Sequence, residues 1–137
     1  MSKLDEARDI LDALQVPAKQ QNVMCCCVLL AMAGLKEDQC WVNATSNWIR
    51  IHDVIAFASD NYGITYAENS RETIRKQAMH HFRNAAFIED NGKATNSPNY
   101  RYRLTGEMVK IIQSYGSGTW DENLETFLNN HETLISL

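Results

Sequence analysis

Apolar residues recur at helical spacing through the first half of the chain. The spacing predicts helices over residues 3–15, 20–33 and 51–62, the second of which is apolar on nearly every side and is therefore expected in the core. Gly63 follows the third helix at a position that commonly caps a helix end. Residues 36–50 are rich in Asn, Ser and Thr, carry two tryptophans and lack periodicity, which predicts a connecting loop.

A fourth helix is predicted over residues 69–86. Asn69 or Ser70 stands where an N-cap residue belongs, and Glu72 follows Asn69 at the spacing of a capping-box partner. The expected inner stripe of this helix is formed by Ile74, Ala78, Phe82 and Ala85.

A hairpin is predicted after the fourth helix. A short apolar stretch at residues 86–89, a polar loop at 90–99 and an alternating stretch at 100–104 indicate strand, loop and strand. Thr105 and Thr119 then stand at the starts of two further amphipathic segments, which predict the last two helices.

This order of elements predicts a mainly α fold: a winged helix-turn-helix with a small antiparallel β-hairpin and extra flanking helices. With 137 residues, 45% of them hydrophobic, the chain is expected to form a single domain over residues 1–137. The longest charge-free apolar run, residues 23–35, is shorter than the roughly 20 residues of a membrane-spanning helix, and the acidic N-terminus does not resemble a secretory signal. We expect a cytoplasmic protein without a membrane segment.

Positive charge is concentrated in residues 69–103. This segment holds seven Lys and Arg residues against three Asp and Glu, a net charge of +4, whereas the rest of the chain holds six against 14, a net charge of −8. Phosphate binding depends on where the positive charge lies, so the whole-chain value of −4 does not exclude a nucleic acid partner. The segment favours binding of double-stranded DNA.

The fourth helix carries polar side chains opposite its apolar stripe. Its cations suit phosphates, and the amides and hydroxyls near its start suit base edges, because the early residues of a recognition helix enter the major groove. Helical projection places Arg71 and Arg75 nearer the apolar side, and Arg75 is expected to pair with Glu72. Residues 91–99, which include Thr95, form a candidate wing; a solvated face and turn is the alternative interpretation. The predicted DNA-contacting residues are Asn69, Arg71, Thr73, Lys76, Gln77, His80, Arg83, Lys93, Asn96, Ser97 and Arg101.

The sequence predicts neither a metal site nor a catalytic residue in this chain. Cys25, Cys26 and Cys27 point in three directions on one helix, and no second pair stands at zinc-ligand spacing. We therefore expect these thiols and Cys40 to be reduced and buried as small apolar residues. No lysine has an Asp or Glu two residues before it, so the acid-x-Lys pattern of metal-dependent nucleases is missing.

Several short segments spread over nearly the whole chain carry a family resemblance. They are Ala18-Lys19-Gln20-Gln21-Asn22, Tyr62-Gly63, Tyr66-Ala67, Asn69-Ser70-Arg71-Glu72-Thr73-Ile74-Arg75-Lys76-Gln77, His80, Phe82, Asn96-Ser97-Pro98, Ser114-Tyr115-Gly116 and Trp120. Together they resemble the N-terminal domain of type II restriction endonucleases of the BsuBI/PstI type. The most specific part is the Arg-Glu-Thr-Ile-Arg helix with the later Asn-Ser-Pro.

The resemblance implies a domain that contains a helix-turn-helix and precedes a C-terminal, Mg²⁺-dependent nuclease domain. It implies an enzyme of a restriction-modification system that cleaves duplex DNA at a short palindrome, with the catalytic residues and the Mg²⁺ site outside this chain. Within the chain it supports residues 69–77, His80, Asn96 and Ser97 as the functional cluster.

Three functional hypotheses follow. The leading one is the sequence-recognition domain of a type II restriction endonuclease, with a homodimer on a palindromic site left open. The alternatives are a stand-alone winged-helix transcriptional regulator and a protein-interaction module whose acidic helices bind a partner.

Overall fold

Six helices and one two-stranded antiparallel sheet form the part of the chain that the structure describes. The computed structural model describes residues 1–94 and 96–136, and for residues 131–136 it describes the helix backbone alone. The elements are α1 (Lys3–Ala13), α2 (Val23–Ala33), α3 (Ile51–Tyr62), α4 (residues 71–84), β1 (Ile88–Asp90), β2 (Tyr102–Leu104), α5 (Gly106–Gln113) and α6 (Trp120–Ser136). The predicted mainly α fold with a small hairpin is confirmed.

The helix α2 lies in the core. Every residue from 25 to 33 is buried, as its apolar pattern predicts, and α1, α3 and α4 pack against it. The side chain of Asn22 accepts a hydrogen bond from the backbone N–H of Cys25 at 2.9 Å, so the helix begins at Val23, later than predicted. Gly34 ends the helix in the left-handed region, with a φ of 70°.

The segment between α2 and α3 contains more structure than the predicted loop. It includes the 3₁₀ turn Trp41–Asn43 and ends in an antiparallel β-bridge between Ile49 and Tyr102. Each of these two residues donates its backbone N–H to the carbonyl of the other, at 2.8 Å. The predicted connecting loop did not include this bridge, because a bridge of a single residue has no periodicity. The bridge places a third extended segment beside the hairpin.

The helix α3 starts directly after this bridge. The backbone N–H of Arg50 donates to the carboxylate of Asp53 at 2.8 Å, which satisfies a donor at the start of the helix. Gly63 ends α3 with a φ of 65°, as predicted. The bridge therefore fixes the start of α3 next to the hairpin.

The helix α4 contains a π-helical turn, Arg75–Met79, between two α-helical stretches, Arg71–Ile74 and His80–Asn84. Ile74 and Met79 are five residues apart in the sequence and both fully buried. In a regular α-helix five residues advance by about 140°, which would turn Met79 away from the core. The π turn adds a residue and brings both side chains inward. The predicted stripe is confirmed as buried at Ile74, Ala78 and Phe82, and half-buried at Ala85.

The predicted capping box at the start of α4 was wrong. Residues Glu68–Ser70 form a 3₁₀ turn that runs directly into the helix. Ser70 has helical backbone angles, φ −79° and ψ −6°, and makes no side-chain cap, whereas capping by Asn69 or Ser70 requires an extended residue. Glu72 accepts instead from Arg75, at 3.0 Å between Arg75 Nε and Glu72 Oε2. This pairing of Glu72 with Arg75 was predicted and is confirmed.

The hairpin is shorter than predicted. The strands β1 and β2 pair in the register Ile88 with Leu104, Glu89 with Arg103 and Asp90 with Tyr102. Ile88, Tyr102 and Leu104 are buried, while Glu89 and Arg103 form an outward ion pair at 2.7 Å.

The last two helices close the core. The hydroxyl of Thr105 accepts from the backbone N–H of Met108 at 3.2 Å, so the predicted cap of α5 is confirmed. Phe127 of α6 packs against Phe87, with ring centroids 6.0 Å apart. None of the described helices has both the length and the apolar character required to cross a membrane.

Candidate nucleic-acid interface

The outer face of α4 presents the polar residues that the sequence analysis selected. The side chains of Thr73, Lys76, Gln77, His80 and Arg83 are all exposed. Lys76 lies 3.9 Å from Glu72, and because both side chains are more than half exposed, this ion pair is weak and open to exchange. Amide, hydroxyl and ammonium groups therefore face solvent along one side of the helix.

The buried side of α4 is fixed by α2. The thiol of Cys25 donates to the backbone carbonyl of Gln77, with 3.6 Å between sulfur and oxygen. This carbonyl lies in the π turn, where the regular α-helical hydrogen bonding is interrupted. The contact accompanies the burial of Ile74, Ala78 and Met79, which leaves the side chain of Gln77 outside.

The first turn of α4 combines a free cation with an ion pair. Arg71 is exposed, although helical projection placed it near the apolar side, and it forms no ion pair with any residue that the structure describes. Arg75 is held by Glu72, and its hydrogen bond to that carboxylate lowers the pKa of Glu72. Glu72 therefore stays ionised at neutral pH, and Arg71 is the more available cation.

A groove of about 980 Å³ opens beside this turn. The first residues of α3 form one wall, the start of α4 and the preceding 3₁₀ turn form the second, and the end of the wing forms the third. Its lining includes Arg50, His52, Glu68, Asn69, Arg71, Glu72, Arg75, Asn96, Ser97 and Tyr100. Arginines, carboxylates, amides and the hydroxyls of a serine and a tyrosine thus share one concave surface.

Two residues of the groove were missed by the sequence analysis. Arg50 pairs with Asp53 at 3.1 Å, and its hydrogen bond to this carboxylate raises the pKa of Arg50. His52 Nδ1 lies 2.8 Å from Glu68 Oε1 and links the start of α3 to the turn before α4. The Arg-x-x-Asp spacing at the start of α3 is a sequence signal for the first pair, but the approach to α4 depends on the β-bridge at Ile49.

Some side chains of the wing are exposed to solvent, and others form hydrogen bonds within it. Lys93 and Asn96 are exposed, and Ser97 is half-buried in the groove. Arg101 was predicted to contact DNA, but its Nη1 donates to the carbonyls of Pro98 at 2.7 Å and Tyr100 at 3.0 Å. These bonds engage its guanidinium with the wing backbone. Thr95 lies outside the described residues.

The end of α4 is tied to the base of the wing. Arg83 Nη1 lies 3.0 Å from Asp90 Oδ2, although its side chain is 52% exposed. The same nitrogen donates to the hydroxyl of Tyr100 at 3.5 Å, while His80 Nε2 and Asn84 Nδ2, 3.2 Å apart, contact each other within α4. Arg83 was predicted from the sequence to contact phosphate, but its guanidinium is engaged by a carboxylate.

The cysteines behave as core residues with one exception. Burial raises the pKa of Cys25 to about 12 and that of Cys27 to about 11, so both remain neutral thiols. Cys40 is exposed, which corrects the prediction that it is buried. Among the described residues, no three His, Cys, Asp or Glu side chains gather in a way that could hold a metal ion, so no chemical step is assigned to Mg²⁺ within them.

Comparisons with known proteins agree on one family. The model of the BsuBI/PstI restriction endonuclease HTH domain matches residues 1–136. The type II restriction enzyme BsuBI of Bacillus subtilis is 36% identical over 138 residues, which cover 98% of this chain and 44% of that protein. The type II restriction enzyme AplI of Arthrospira platensis is 27% identical and covers 94% of this chain and 41% of that protein.

A solved structure gives the same result for the fold. The structure of SdaI restriction endonuclease superimposes with a TM-score of 0.90 and 28% identity, covering 97% of this chain and 43% of that chain. This chain thus spans less than half the length of each of these relatives. The resemblance seen in the sequence is confirmed, and the chain belongs to the family of BsuBI/PstI restriction endonuclease HTH domains.

Proposed function

We propose that this chain is the sequence-specific, duplex-DNA recognition domain of a type II restriction endonuclease in a restriction-modification system. The observation that carries the proposal is the groove where α3, α4 and the wing meet, with Arg50, Arg71 and Arg75 in its lining. Arginines beside an exposed helix start match the two needs of DNA recognition, phosphate attraction and base contact.

The two kinds of contact are assigned to different residues. Arg71 and Lys76 carry exposed charges that neutralise phosphates. Asn69, Thr73 and Gln77 present exposed amides and a hydroxyl near the start of α4, the part of a recognition helix that reaches base edges. Lys93, Asn96 and Ser97 of the wing contact the backbone or the minor groove beside the helix.

The activity of the whole enzyme is a separate part of the proposal. The relatives are named as type II restriction enzymes, and we propose Mg²⁺-dependent DNA cleavage in the cytoplasm by a nuclease domain joined to this one. A homodimer on a palindromic site is proposed with it. The intact mass of the native polypeptide tests the arrangement: a mass far above 15.6 kDa supports a joined nuclease, and a mass near 15.6 kDa favours a stand-alone regulator.

The DNA-binding role is tested by Arg71→Ala, with Lys110→Ala as the matched control. Lys110 is also an exposed cation, on α5 and outside the lining of the groove. Affinity for a fluorescein-labelled duplex of random sequence is measured by anisotropy at several salt concentrations. We expect Arg71→Ala to weaken binding and to reduce the slope of log affinity against log salt by about one unit, as for one lost phosphate contact. Lys110→Ala should match the unmodified chain.

Equal losses in both variants would show that only net charge matters and would remove Arg71 from the interface. Absence of any binding by the unmodified chain at low salt would refute the proposal and favour a protein-interaction module.

A further inference from the structure

We propose that Asp90 is a positioning residue that holds the wing against the end of α4, and that this contact sets how sharply the domain discriminates between DNA sequences. Arg83 is then the link on the helix instead of a phosphate contact. The inference about discrimination rests on the proposed function, whereas the contact itself is testable without DNA.

The Asp90 carboxylate joins the helix to both ends of the wing. Its Oδ2 lies 3.0 Å from Arg83 Nη1 on α4 and accepts a hydrogen bond from the hydroxyl of Tyr100 at 3.2 Å. Its Oδ1 accepts from the backbone N–H of Gly92, the first turn of the wing, at 2.8 Å. One side chain therefore bonds to the last turn of α4, to the start of the wing and to its end.

The contact is anchored in the sheet. The side chain of Asp90 is only 21% exposed, so its hydrogen bonds are partly shielded from water. The ring of Tyr100 packs edge-on against the ring of Tyr102, with centroids 4.9 Å apart and planes at 87°. Tyr102 is buried and forms the bridge to Ile49. The position of the carboxylate is therefore set by the core.

The base of the wing is held together as a unit. The side-chain amide of Asn91 donates to the carbonyl of Asn99 at 2.6 Å, and its oxygen accepts from the backbone N–H of Arg101 at 3.2 Å. Because these bonds lie inside the wing, they do not set its angle to α4. The bond from Arg83 to Asp90, with the longer one from Arg83 to the hydroxyl of Tyr100 at 3.5 Å, joins the helix to the wing and can set that angle.

Positioning and simple electrostatics predict different effects of removing the Asp90 carboxylate. A carboxylate beside a DNA-binding surface repels phosphate, so its removal should strengthen binding to any sequence if charge alone matters. If Asp90 acts by positioning, its removal should instead blur the sequence preference, because base contacts by α4 and the wing lose their fixed relative placement.

The test compares Asp90→Asn with Glu89→Gln in the full chain. Glu89 is the neighbouring residue of β1, faces the other side of the sheet and pairs with Arg103 at 2.7 Å, so its substitution changes the charge equally without touching the contact. Each variant selects from a library of randomised duplexes, and its affinity for the enriched sequence is then compared with its affinity for a scrambled sequence. We expect Asp90→Asn to reduce the ratio of these two affinities by about tenfold, equivalent to lost discrimination at about one base pair. Glu89→Gln should keep the ratio.

A measurement on the free protein tests the contact itself. In urea denaturation of the free protein, the losses of stability from Asp90→Asn and Arg83→Gln should not be additive in the double variant, because both remove the same contact. The losses from Glu89→Gln and Arg83→Gln should be additive. Additive losses from Asp90→Asn and Arg83→Gln would overturn the proposal. Equal changes of the affinity ratio in Asp90→Asn and Glu89→Gln would overturn it as well. If the unmodified chain enriches no sequence, the proposed function fails, and non-additive losses still establish the positioning contact alone.

Discussion

Lys76 and Gln77 are consecutive exposed residues of α4 with different side-chain chemistry. An ammonium group neutralises any phosphate, whereas a side-chain amide can make paired hydrogen bonds to one kind of base. Neighbouring residues can therefore separate affinity from sequence preference.

We predict different results for Lys76→Ala and Gln77→Ala. Lys76→Ala should weaken binding to all sequences and reduce the salt slope by about one unit, because one phosphate contact is lost. Gln77→Ala should relax preference at one base pair and leave the salt slope unchanged. The measurement is binding to a panel of single-base variants of the selected duplex at several salt concentrations. Equal losses on every sequence from both substitutions would rule out base contact by Gln77.

The buried thiols give a prediction on alkaline stability. The pKa of Cys25 is raised to about 12 and that of Cys27 to about 11, from an ordinary value of 9.0, because burial disfavours the thiolate. Above about pH 9 the unfolded chain loses these protons and the folded chain keeps them. The free energy of unfolding should therefore be unaffected by these thiols below that pH and fall as the pH rises toward 11 and 12, by up to about 1.4 kcal/mol per pH unit for each thiol.

Urea denaturation in a reducing buffer between pH 8 and 11 measures this dependence. Burial also raises the pKa of Tyr62 and Tyr102, which adds to the fall. The variant with Cys25→Ala and Cys27→Ala should show a shallower fall, and Cys40→Ala, at an exposed position, should not. An identical slope in all three proteins would show that the thiols do not contribute.

The helix α4 requires its π turn to bury Met79 together with Ile74. The turn brings Met79 into the core together with Ile74 and Phe82, so the interior fixes which residues remain outside. We predict that Met79→Ala lowers the free energy of unfolding by about 2–5 kcal/mol, since it leaves a cavity in a packed site. His81→Ala, at an exposed position of the same helix, should change it by less than about 0.5 kcal/mol. Urea denaturation compares the two, and similar small effects would contradict the packing described for Met79.

Periodicity predicted the elements of this fold because each helix has an apolar face or is apolar throughout. It also predicted the exposure of Thr73, Lys76 and Gln77, since the outer face of α4 follows from its buried stripe. The π turn and the bridge at Ile49 could not be predicted from the sequence, because both depend on contacts with elements distant in the sequence. For the same reason the engagement of Arg83 with Asp90 did not appear in a helical projection.

At the scale of the whole molecule, the groove is assembled from three separate parts of the chain. The helices α3 and α4 and the wing each form only part of the groove. Packing in the hydrophobic core, with α2 and the sheet, holds the three parts together. Under the proposed function each chain engages one half of a palindromic site through this groove, so such a site requires two copies.

We therefore predict that two chains bind one duplex. Sedimentation of the complex with the selected duplex should give the mass of the DNA plus two chains of 15.6 kDa each, because each half-site engages one groove. A complex with a single chain on a selected sequence without two-fold symmetry would contradict the homodimer.

The most direct measurement is selection of randomised duplexes by the unmodified chain, followed by affinities for the enriched and a scrambled sequence at one salt concentration. We predict enrichment of a single motif and an affinity for it at least about 10³ times the affinity for the scrambled duplex, as in specific protein–DNA complexes. Enrichment of no motif, or equal affinities for both duplexes, would contradict the assignment of sequence recognition to this domain.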